Sequence, residues 1–159
     1  MKWLSSEGGP LVMVGQSELI NWQGVDGSDY DRACSVEDYL GLIPVGNSQA
    51  LVLGDEPCQT ALFTINSKDI ALVRWVYGED ELTVEKHIRQ VPEELFNNPL
   101  EQIEYRVEGD EFILFDSVLN GEAAQGLKID LPSDKYVVTT VQYEPDEDTS
   151  LILHRFLAA

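Results

Sequence analysis

The sequence predicts a mainly β, β-rich α+β fold: an antiparallel sheet or sandwich of about eight strands with one or two short helices, forming a single domain over residues 1–159. Three observations carry this. In the carboxyl half, β-branched and aromatic runs repeatedly bracket short polar loops, the pattern of hairpins. The runs alternate with period two, and some are apolar on both faces, as strands in a sheet interior are. Helical signals are confined to a few short pieces, and no repeat, low-complexity tract or long Pro/Gly/Ser linker divides the chain.

Taken in chain order, LVMV at 11–14 and ALVLG at 50–54 are strands expected to supply sheet edges. Between them, Ser35 followed three residues later by Asp38 resembles a capping arrangement and Gly41 supplies a stop, so a helix is expected over 35–40. TALFTI and IALVRWVY pair across Asn66, Ser67, Lys68 and Asp69. In the second of these strands Ala71, Val73, Trp75 and Tyr77 share one face and Ile70, Leu72, Arg74 and Val76 the other, which makes it a central strand. Pro92 starts a second short helix over 92–96. QIEYRV and EFILFDSV pair across Glu108, Gly109 and Asp110, and KYVVTTVQY and SLILHRFLA across the acidic turn from Glu144 to Thr149. The group Glu79, Asp80 and Glu81 and the turn around Asp146 read as solvated hairpin tips.

Charge bounds the function. Among 159 residues, 29 acidic side chains face 10 basic ones, a formal net charge of -19 with a pI near 4.1. Such a field repels phosphate backbones and anionic lipids and favours a basic protein partner, speeding encounter in a salt-dependent way. No Lys/Arg stripe exists to displace counterions, so direct nucleic-acid binding is not expected. The alternative readings of the carboxylate surplus are ordinary solubility and adaptation to a salty cytoplasm. Two cysteines without a Cys-x-x-Cys pair, no leader sequence and no apolar stretch approaching the ~20 residues of a spanning helix point to a soluble, cytoplasmic protein.

Catalytic and metal signatures are sparse. His87 and His154 are the only histidines, and neither sits in a spacing that pairs with Cys34 or Cys58 for zinc. Both read as structural or surface residues, and Cys34, beside a helix start, reads as a core residue, although a Cys/His nucleophile built on Cys34 or His154 stays open. VDGSDYDRACSVE places Asp26, Ser28 and Glu37 at positions 1, 3 and 12 of a calcium loop, but Tyr30 and Asp31 occupy the positions that need a short oxygen ligand and a glycine. The glycines form neither GxGxxG nor a Walker loop, so no cofactor is expected.

What remains distinctive is the amino-terminal third, where Trp3, Trp22, Tyr30 and Tyr39 stand among Asp26, Asp29, Asp31, Glu37 and Asp38. Aromatics within an acidic rim are a common way to build a tight protein interface, and they are also how a sheet closes one end of its core. On the first reading the partner contacts are Trp22, Asp29, Tyr30, Asp31 and Asp38. Two classes of function fit: an inhibitor that binds a basic protein, and a phosphate-mimicking blocker of DNA-binding proteins of phage or plasmid origin.

The same residues carry a resemblance. Trp3 with Gly8, Gly9, Pro10 and Leu11, then Trp22-x-Gly24, DYDRAC from Asp29 to Cys34, Asp38-Tyr39-Leu40, and LVLGDEP from Leu51 to Pro57 resemble the immunity protein 21 family of bacterial polymorphic toxin systems, over roughly the first 75 residues. The resemblance implies a protein that binds and neutralises a cognate toxin domain, and it implies no enzymatic role. A basic nuclease would suit the charge, because carboxylates can stand in for substrate phosphates.

Overall fold

The apolar runs assemble into ten strands in two five-stranded antiparallel sheets, so the β-rich α+β class holds with a few more strands than the sequence predicts. The computed structural model describes residues 1–66 and 68–159; Ser67 of the predicted turn lies outside the described residues. The strands are β1 (Leu11–Gly15), β2 (Leu40–Val45), β3 (Ser48–Leu53), β4 (Gln59–Ile65), β5 (Asp69–Tyr77), β6 (Glu101–Arg106), β7 (Glu111–Asp116), β8 (Gly126–Asp130), β9 (Lys135–Asp146) and β10 (Thr149–Ala158). The first sheet runs in the order β2-β3-β1-β7-β8 and the second β4-β5-β10-β9-β6.

The sheets face one another across a shared core. Leu11, Met13, Leu51 and Leu53 of the first meet Leu72, Tyr105, Val138 and Phe156 of the second. The outer face of each sheet is also covered. Residues 16–38 lay Leu19, Trp22 and Ala33 over Val12, Val14, Val52 and Phe115. On the far side, helix α2 (Glu81–Ile88) and the 3-10 turn Glu93–Asn97 lay Val84, Ile88 and Phe96 over Ala71, Val73, Leu151 and Leu153. This second cover explains why the central strands β5 and β10 are apolar on both faces: each face is covered along most of their length.

The β4–β5 and β9–β10 hairpins form as expected, and β5 lies inside its sheet between β4 and β10. Other expectations are corrected. Strand β1 is not an edge; it is buried along its whole length between β3 and β7. The predicted β6–β7 hairpin does not exist: β6 pairs with β9 and β7 with β1 and β8, in opposite sheets. Their faces explain it. Strand β6 exposes Gln102, Glu104 and Arg106 and serves as an edge, whereas β7 buries Phe112 and Leu114 in one core and Phe115 in another. The intervening loop is pinned instead to 131–134, with Val107 donating to Asp134 and Leu131 to Asp110 through their backbones.

The helix expected over 35–40 lies six residues earlier, as α1 (Asp29–Cys34). Ser35 closes it rather than opening it: its N–H and hydroxyl both reach the Arg32 carbonyl. Leu40 and Gly41 belong to β2, an edge strand whose Pro44 needs no ladder donor there. The expected helix at 92–96 is the 3-10 turn Glu93–Asn97, entered from Pro92. The acidic group at 79–81 is not a hairpin tip. Asp80 caps α2, its carboxylate accepting from the Thr83 N–H at 2.8 Å, which holds the Asp80 carboxyl below the usual range.

Polar side chains gather at one end, Arg74 and His154 buried between the sheets and Glu101 half-buried at the rim. Arg74, 1% exposed, donates to the carbonyls of Gly54 at 2.6 Å and Glu56 at 2.8 Å. Glu101 accepts from the backbone N–H groups of Tyr39 at 3.1 Å and Leu40 at 2.8 Å. His154 is fully buried, with Nδ1 2.8 Å from the Thr140 hydroxyl. Burial, and then the Arg74 charge, hold its imidazole well below the ordinary 6.5. A base depressed in the folded state is protonated first in the unfolded chain, so stability should fall as pH drops below about 6.5, with a limiting slope of about 1.4 kcal/mol per pH unit. Urea melts between pH 7.5 and 5 should show this slope, and His154→Gln should flatten it.

Candidate partner-binding face

The layer over the first sheet concentrates the charge. Residues 16–38, which form it, hold six acidic side chains and a single basic one, Arg32. That arginine is committed, its guanidinium paired with Asp29 and donating to the Pro44 carbonyl at 3.0 Å. The layer therefore presents carboxylates with little internal neutralisation.

The five predicted contacts divide. Trp22 is 1% exposed, packed edge-on to Phe115 at 6.2 Å between ring centres, with its indole N–H donated to the Ser117 carbonyl at 3.2 Å. Asp29 is buried at 7% exposure and closes the layer internally, accepting from the Gln23 N–H at 2.8 Å and from Arg32. Each spends its polar group inside the domain, which places both in the framework of the layer. Tyr30 is half-buried and lies against Gly9, where an added Cβ would come within 2.6 Å of its ring. Chiefly through Cys34, and further through burial, Asp116 and Asp31, its phenol is pushed above the ordinary value. Asp31 and Asp38 are exposed. Asp38 stands on a shallow cleft with Glu37, Tyr39, Asp55 and Glu101.

Two surface residues were not legible in the sequence. Ile20 is 78% exposed and Val25 56%, both within the acidic layer. Neighbouring aliphatics at Leu19 and Ile20 look alike as sequence, yet the 3-10 turn Gln16–Asn21 can aim only one inward, and Leu19 takes that place.

The groups weighed for chemistry are separately engaged. Cys34 is exposed at the end of α1, a correction to its expected place in the core. His87, on α2, lies 3.0 Å from the Asp146 carboxylate, and His154 is sealed against Thr140. Among the described residues no group of three or more His, Cys, Asp or Glu side chains could hold a metal ion, and no helix is long and apolar enough to cross a membrane.

The family model for immunity protein 21 matches residues 2–149. The chain belongs to this family. The match runs well past Trp75, so it takes in strands β1 to β9 and not only the amino-terminal motifs, stopping at the start of β10. Membership makes the chain an immunity protein, a class whose partner is a toxin and which generally works without catalysis. No curated protein and no solved structure matches it. Several immunity protein 21 motif residues acquire a physical reason here. Trp3 packs on Trp75 at 5.2 Å between ring centres, Trp22 anchors the cover layer, and Gly54 sits where a Cβ would come within 2.1 Å of the Asp38 carbonyl.

Proposed function

We propose that this immunity protein binds and neutralises a cognate bacterial toxin domain in the cytoplasm by laying its acidic cover layer on a basic surface of the toxin. A nuclease cleft is the surface that suits it best, blocked by bulk and by carboxylates standing where substrate phosphates would lie. The protein contributes no chemistry of its own and acts as one domain, its two sheets sharing a core. The observation that carries the proposal is the six-to-one charge imbalance over residues 16–38, on a layer packed onto a rigid sheet. Direct contacts are assigned to Tyr30, Asp31 and Asp38, with Trp22 and Asp29 holding the layer in shape beneath them.

Isothermal titration against the toxin domain encoded by the adjacent gene tests this. A complex that weakens steeply as salt is raised is the expected result, and no measurable complex at low salt would end the proposal. Asp31→Asn with Asp38→Asn should slow association about three- to tenfold at low salt and reduce the salt dependence, since rim charges act mainly on encounter. Both side chains are exposed, so the melting temperature should not move.

A further inference from the structure

Beside Ile20 the surface opens into a cavity of about 230 Å³, walled by Ile20 and Trp22 and rimmed by Asp26, Asn120 and Glu122. We propose that this cavity is the anchor socket of the interface and receives one long cationic side chain, arginine or lysine, from the toxin; this rests on the function proposed above.

Size and chemistry point the same way. The volume falls below the roughly 300–1,000 Å³ of small-molecule pockets, so it suits a single side chain better than a metabolite. Its lining offers the exposed Ile20 side chain to a hydrocarbon stem and carboxylates at the rim to a cationic head, with no basic residue among those that line it. Val25, 56% exposed on the adjoining turn, extends the apolar rim on which the surrounding toxin surface can rest.

The socket is also built rigidly, from segments about a hundred residues apart. The Gly121 N–H donates to the Trp22 carbonyl at 2.8 Å and the Val25 N–H to the Val118 carbonyl at 3.2 Å. A side chain at Gly121 would meet the Leu19 carbonyl at 1.6 Å, so glycine is what allows the two segments to close. Asn120 donates to the Asp26 carboxylate at 3.3 Å, which orients that carboxylate while leaving it lone pairs to offer. A preorganised pocket at the centre of a charged face is where interface hot spots concentrate.

Binding of the adjacent-gene toxin domain is to be measured for the wild type, for Ile20→Ser, for the pair Asp26→Asn with Glu122→Gln, and for a control pair with the same charge change elsewhere, Glu108→Gln with Glu147→Gln. Each socket variant should lose about tenfold or more in affinity, mostly through faster dissociation, while the control pair stays within about threefold. Alanine substitution of the toxin's arginines and lysines should then reveal one position whose effect disappears in the socket pair. If the wild type binds and the socket variants match the control, the socket is wrong and the function stands. If the wild type does not bind, the functional reading itself fails and takes the socket with it. Thermal melts of every variant verify the fold, which Ile20→Ser in particular leaves intact because that side chain is 78% exposed.

Discussion

Replacing Trp22 with alanine should cost roughly 3–5 kcal/mol of stability, the range for removing a large aromatic from a well-packed core. At this chain length each kcal/mol corresponds to a few degrees, so the melting temperature should drop by about 10 °C. The indole is the largest side chain holding residues 16–38 on the first sheet, wedged against Phe115 and among Val12, Val14 and Val52. Its loss removes apolar contact and leaves the Ser117 carbonyl without the indole donor. Trp22→Phe separates the two contributions: most of the packing survives, the hydrogen bond does not, and roughly 1–2 kcal/mol should be lost. Toxin affinity of the folded Trp22→Phe protein should change only slightly, because a side chain 1% exposed shapes the surface from below. A large loss of affinity at unchanged stability would return Trp22 to the interface as a primary contact.

This residue also shows where sequence reasoning stops. A tryptophan among aspartates fits an exposed hot spot and a plug closing one end of a sheet equally well, since both need a large apolar body with a polar tip. The decision is made by Phe115 and Ser117, almost a hundred residues away, and no local pattern reports them. Asp29 is the same case in another residue type. DYDRAC reads as an acidic surface until Gln23 and Arg32 are seen to use that carboxylate.

The fold was legible where pairing is local. The β4–β5 and β9–β10 hairpins follow from short polar loops between alternating runs, and their two-faced apolar character correctly implied cover on both sides. The β6–β7 break was hidden because Glu108, Gly109 and Asp110 are ordinary hairpin chemistry, and only the contrast between a half-polar β6 and the apolar run Phe112–Phe115 of β7 hinted that they belong to different places. Helix α1 was displaced in the reading because Ser35 is as good a closing residue as an opening one, its hydroxyl finding the Arg32 carbonyl instead of a downstream N–H. Helix α2 was missed because Asp80 looked like one more solvated acid, yet the pair Val84 and Ile88, four residues apart and both buried, was the available signal.

Arg74→Ala should cost roughly 2–4 kcal/mol, and its effect should be local before it is global. The guanidinium lies inside the sandwich without a carboxylate partner, bonded to the carbonyls of Gly54 and Glu56 and reaching Tyr39 at 3.4 Å. Burial pushes it below the ordinary arginine value, so part of what those bonds contribute is offset by the charge's own desolvation. Removing the side chain relieves that penalty but leaves the Gly54 carbonyl buried without a donor and opens space beneath two loops. Those loops are joined: the Gly54 N–H donates to the Tyr39 carbonyl at 2.9 Å, and Tyr39 in turn is held by Glu101. Hydrogen exchange should therefore accelerate first at the amides of Tyr39, Leu40 and Gly54, with the centre of β10 little changed. Because the same loops carry Asp38 and Asp55, toxin association should slow in Arg74→Ala even at temperatures where the protein remains folded. Arg74→Met, which fills the space without the bonds, should recover stability better than it recovers the loop protection. If both properties returned together, packing rather than hydrogen bonding would be what fixes this edge of the acidic face.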